Sequence, residues 1–116
     1  MEESKKARLL GIGVNLDSAL QRFMGNEKMV EKYLDRFLSE KSYKELVDAM
    51  AAGDQETAAR AAHTLKSVCG TLGFEKMQAH VVAQENAMRT GRWEEALNMR
   101  PEVEEEVQRI CAAIKG

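Results

Sequence analysis

The apolar residues of this chain recur at intervals of three and four, and short glycine-containing breaks divide them into blocks. Nowhere do β-branched and aromatic residues alternate with polar ones over a strand length, and there is one proline, Pro101. This periodicity restricts the chain to an all-α fold. The breaks are "FMGNEK", "AAGDQE", "TLGFEK" and "RTGRWEE". In the first two, a glycine ends one helix and Asn26 or Asp54 caps the next. Helices are predicted at about 15–24, 27–39, 42–52, 54–72, 74–90 and 93–115. Ser42 and Glu45 have the spacing of a capping box, which argues for a new start at Ser42 over one bent helix through 27–52. Pro101 should kink or restart the last helix. Short connections imply antiparallel neighbours, hence an antiparallel four-helix bundle with one or two additional short N-terminal helices. Residues 1–13 read as a tail or linker remnant, with the domain over 14–116.

With 116 residues, 44% hydrophobic and 31% charged, the chain has the composition of one globular domain. The net charge of −2 and the lack of a basic block argue against nucleic acid. No apolar run reaches the ~20 residues of a membrane span, so no membrane contact is expected. Cys69 and Cys111 form no paired-spacing motif, and a reduced, cytoplasmic, monomeric protein is the simplest expectation.

One block holds a histidine among small residues: "AAHTLKSVCGTLGF", residues 61–74. At 100° per residue, Ala58, Ala61, Leu65, Cys69 and Leu72 form the apolar stripe of the 54–72 helix. His63 then points away from that stripe. One turn away on its outer face lie Ala59, Ser67 and, further on, Gly70, all small, with Lys66 as the nearest cation. The imidazole stands on a surface that another protein can approach closely. No carboxylate lies one turn away, so the local sequence offers no triad. No second His or Cys sits at ligand spacing for a metal. A single exposed histidine on a helix is usually just solvated surface, and geometry alone leaves function open.

These residues resemble the signature of histidine-containing phosphotransfer (HPt) domains, H-x-L-K-small-x-x-x-x-x-G. His63, Leu65, Lys66, Ser67 and Gly73 match it in order. The likeness extends over about 14–116: "NLDSALQRFMGNEKMVEKYLDRFL" is similar to the family's opening helices, "MAAGDQETAARAAHTLK" to its entry into the histidine helix, and "RTGRWEEA" to its last turn. The resemblance implies a phosphocarrier without an ATP site of its own. His63 would accept a phosphoryl group from a receiver-domain aspartyl-phosphate and pass it to another receiver. Lys66 would neutralise phosphoryl charge. Ala59, Ser67 and Gly70 would keep the surface open, with glycine frequent in the family where Ser67 stands, and the Ser67 hydroxyl is a candidate donor to the phosphate. Gly73 would cap the helix in a left-handed turn. No cofactor is expected on this chain, and Mg2+ would belong to the partner receiver. Partners would be response-regulator receivers and a hybrid sensor histidine kinase, of which this chain could itself be a piece.

The sequence departs from the family at His80 and Gln84, which fall in the stripe of Met77, Val81 and Met88. A partly buried, hydrogen-bonded His–Gln pair is the expectation there. A supporting role near His63, or a metal site with Cys69, is the alternative for His80. Cys69 itself reads as a small core hydrophobe. Leu16, Ala19, Leu20, Phe23 and Met24 are candidates either for core or for a docking patch beside His63. Two other function classes remain open at this level: a helical adaptor that docks without phosphorylation, and a small helical enzyme or metal protein.

Overall fold

The computed structural model describes residues 1–116 as eight helices and no strand. They are α1 (Glu3–Gly11), α2 (Leu16–Arg22), α3 (Glu27–Phe37), α4 (Lys41–Ala52), α5 (Gln55–Leu72), α6 (Glu75–Arg89), α7 (Trp93–Asn98) and α8 (Arg100–Lys115). The all-helical bundle expected from the periodicity is present. Helix α5 packs chiefly between α4 and α6, each joined to it by a two-residue break, and α8 closes against α6 and α3. Short breaks between extensively packed helices force the chain to reverse at each one. No helix is long and apolar enough to cross a membrane.

Side-chain caps mark four of the eight helix starts. The Asn26 side chain accepts from the Met29 amide at 3.1 Å, and that of Asp54 from the Thr57 amide at 3.2 Å. Each satisfies an amide that a helix start leaves open. The α4 start differs from the predicted capping box. Glu40, not Ser42, is the capping residue: its carboxylate accepts from the Ser42 amide at 3.1 Å and from the Ser42 hydroxyl at 2.7 Å. Residues 27–52 therefore form two helices. Pro101 sits in the first turn of α8, where its missing amide costs nothing, and it separates α7 from α8.

Residues 1–13 do not form the tail predicted from sequence. Helix α1 packs on α8 and makes a third helix ahead of the four long ones. Leu9 is fully buried, and Lys5 is buried with its ammonium 2.8 Å from Asp35 and 3.1 Å from Glu31 of α3. The Arg8 guanidinium Nε donates to the Ala113 carbonyl at 2.9 Å, so the two ends of the chain meet.

One core runs through all of this. Phe37 and Phe74 meet edge to face at 4.9 Å between centroids. Gly73 ends α5 at φ 76°, the left-handed cap expected of it. It also touches the chain before α2, where the Asn15 amide donates to the Gly73 carbonyl at 2.9 Å. A Cβ at position 73 would run into the Asn15 carbonyl, so both the backbone conformation and the space demand glycine.

Candidate functional site

The predicted stripe of α5 is buried: Ala58, Leu65 and Cys69 are fully enclosed, and Ala61 and Leu72 nearly so. His63 lies on the opposite side and keeps 59% of its side-chain surface. Helix α6 runs along one flank of this face. It brings Gln78 against Gly70 and Glu85 against His63.

That flank corrects several readings of single residues. Ala59 is not part of an open surface; it is buried in the core, because helix packing reaches further round α5 than its apolar stripe. Gly70 is half-buried, and a Cβ there would sit 2.7 Å from Gln78 Nε2, so its smallness admits the neighbouring helix. Ser67 is exposed, but its hydroxyl donates to the His63 carbonyl at 3.2 Å instead of standing free for a phosphate. Ser67 also lines a groove with Tyr33, Arg36, Thr64 and Val68 between α3 and α5.

The local sequence showed no carboxylate beside His63, yet one is there. His63 Nδ1 lies 3.1 Å from Glu85 Oε2. The same carboxylate receives Arg89 Nε at 2.7 Å and Lys66 Nζ at 2.9 Å. Only 8% of the Glu85 side chain is exposed. Burial pushes its carboxyl up, but hydrogen bonds from Lys66, Arg89 and His63 and the Lys66 charge outweigh this and hold it below the usual carboxylate range. An ionised carboxylate only accepts hydrogen bonds. Nδ1 must therefore carry the ring proton, and the lone pair of the neutral imidazole resides on Nε2. Glu85 thus does two things. It fixes the tautomer of His63, and it holds two cations beside it.

Glu85 and Arg89 were missed in the sequence. Their signal was available on α6 alone. Glu85 continues the Met77–Val81–Met88 stripe, and a carboxylate on a buried stripe needs a partner. Arg89 stands one turn further on. The partner on α5, twenty-two residues earlier, was beyond any spacing rule.

The expected His80–Gln84 pair does not form. Gln84 is buried, with Nε2 donating to the Ala96 carbonyl at 3.1 Å and resting 3.3 Å from the Met50 sulfur. His80, one turn earlier on α6, is half-buried and makes no hydrogen bond to Gln84. Cys69 is a core residue whose thiol burial pushes up to about 12, which leaves it inert. No group of three or more His, Cys, Asp or Glu side chains is arranged to hold a metal ion. Of the first apolar run, Leu16 and Ala19 are core, Leu20 and Phe23 are half-buried, and Met24 is almost fully exposed.

Chemically, the arrangement is an accessible nitrogen nucleophile with a fixed tautomer and a cation one helical turn away. A family model described as Hpt domain matches residues 28–113 of the chain. No curated protein and no solved structure matches it.

Proposed function

The chain belongs to the Hpt domain family, whose members are phosphocarrier modules of two-component signalling, and from that premise we propose that His63 is the phosphoryl carrier. Nε2 attacks the phosphorus of a receiver's aspartyl-phosphate. The P–O bond breaks and the aspartate leaves with the electron pair as a carboxylate. An Nε2–P bond forms, and the ring becomes cationic with its proton still on Nδ1. The reverse step on a second receiver restores the neutral imidazole. The divalent ion and the accepting aspartate belong to the receiver.

The observation that supports this most is the Nδ1–Glu85 hydrogen bond. It directs the nucleophilic lone pair outward and places a negative charge where the ring becomes positive. Lys66 is the charge partner of the phosphoryl group. Its ammonium, 2.9 Å from Glu85, is held beside the imidazole before any phosphate arrives. Arg89 is a positioning residue that orients Glu85. Phosphoryl transfer needs positioning and charge neutralisation more than protein acids, and this set supplies both. The receiver docks over His63 and Ser67, along the groove of Tyr33, Thr64 and Val68. A relay between receivers places the domain in the cytoplasm.

The test is incubation with a phosphorylated receiver, followed by acid and alkali treatment of the product. The expected product is labelled protein that loses phosphate in acid and keeps it in alkali, with none in His63→Gln. Docking of the receiver without any label would make the chain an adaptor instead.

A further inference from the structure

Met24 stands in the turn between α2 and α3 and is 94% exposed. It is the one residue other than glycine with a positive φ, at 55°, and Gly25 follows it at 81°. The turn imposes this conformation. The Met24 amide donates to the Gln21 carbonyl at 3.1 Å, and the Gly25 amide to the Leu20 carbonyl at 2.7 Å. The Asn26 amide closes the turn on the Phe23 carbonyl at 3.0 Å. A left-handed backbone strains a residue that carries a Cβ, and glycine escapes the strain. Methionine at this position therefore burdens the fold with strain and returns no packing. An exposed apolar residue is by itself ordinary surface. One held in a strained conformation that the fold does not use points to a function.

The turn adjoins the groove beside His63. The Phe23 ring lies 5.2 Å from that of Tyr33, and the Arg36 guanidinium rests 5.0 Å over the same Tyr33 ring. Tyr33 and Arg36 line the groove together with Thr64 and Ser67, and Ser67 is one turn from the histidine. An ordinary docking footprint, ~800 Å2 a side, is about 30 Å across, roughly three times the spacing of two packed helices. We propose that Met24 is an apolar anchor for the receiver domain that exchanges phosphoryl with His63. This rests on the phosphotransfer reading and extends its docking surface past the groove to the turn ahead of α3. The closed turn sets the direction of the side chain before docking, so little order is lost on binding. The flexible thioether itself adapts to more than one partner surface, which suits a carrier between two receivers.

The test uses the full chain and a receiver domain that labels wild-type His63. Met24→Gly removes the side chain and relieves the left-handed strain. It should weaken binding of the unphosphorylated receiver about fivefold or more, through faster dissociation. The transfer rate at saturating receiver should stay at the wild-type value, and the melting temperature should not fall. Met24→Leu keeps the apolar bulk and should keep the affinity. A residue that serves only the fold cannot weaken binding without a loss of stability. Unchanged affinity in Met24→Gly, or a lowered melting temperature, would overturn the proposal and leave the phosphotransfer reading standing. Failure of every receiver to label wild-type His63 would overturn both. Self-association of the free chain that Met24→Gly abolishes would assign Met24 to a second copy instead of a receiver.

Discussion

Glu85 accepts from His63, Lys66 and Arg89 at once, and its contact with His63 joins two helices across a sequence separation of twenty-two residues. This makes the tautomer of His63 a tertiary property. In wild-type protein, long-range nitrogen–proton correlation should show Nδ1 protonated and Nε2 bare. Glu85→Gln keeps an acceptor but loses the charge, and it should slow single-turnover transfer by about 1.5–3 kcal/mol in barrier, roughly ten- to a hundredfold. A proton found on Nε2 in the neutral wild-type ring would remove the basis for this role.

His63→Gln should abolish phosphoryl acceptance and leave the melting temperature near that of wild type, because a largely exposed side chain carries little packing energy. His80→Gln should keep acceptance. Label retained in the first variant and lost in the second would mean that the wrong histidine had been identified.

Charge and bulk beside His63 can be separated. Lys66→Ala should slow transfer by at most ~1.5–3 kcal/mol while leaving the affinity for an unphosphorylated receiver near normal. Ser67→Leu should weaken receiver binding through faster dissociation, because it adds bulk to an exposed position one turn from the histidine. Affinity and single-turnover rate measured on both variants decide the matter. Normal values in Ser67→Leu would show that the partner docks elsewhere.

The Glu85 cluster should also appear in acid unfolding. Burial raises its carboxyl, but the bonds from Lys66, Arg89 and His63 prevail and leave the folded pKa below the unfolded one. Such a group stabilises fully above its unfolded value of ~4.3 and loses that contribution as pH falls through the folded value. The stability gap between wild type and Glu85→Gln should be flat from pH 7 to about 5 and shrink below about 4, read from urea midpoints. A gap that widens in acid would contradict the sign of the shift.

Two glycines share a left-handed backbone but not their surroundings. Gly53→Ala meets open space and should cost only the conformational penalty, ~1–2 kcal/mol. Gly73→Ala adds a collision with the Asn15 carbonyl and should cost more than Gly53→Ala by at least ~1 kcal/mol. Equal losses in denaturant unfolding would show that the link between Asn15 and Gly73 yields easily.

What could be read from the sequence followed from contacts within one helix. The α5 stripe and the outward His63 are fixed by a 100° rotation per residue, and the Asn26 and Asp54 caps by contacts three residues apart. What could not be read depends on neighbours. Ala59 has the same sequence signature whether a neighbouring helix buries it or not. Gln84 gives no sign that its partners are Ala96 and Met50. Helix α1 was hidden because Lys5 occupies a buried position and breaks the apolar pattern; only Glu31 and Asp35, on another helix, make that burial tolerable.

The bond from Arg8 to the Ala113 carbonyl spans nearly the whole chain. Closing so long a loop is entropically costly until the helices between have docked. This seam should therefore form late in folding and open early. Amide hydrogens in α1 and in the last turn of α8 should exchange together and ahead of those of α5. The chain would then unclasp at its ends without disturbing the face that carries His63.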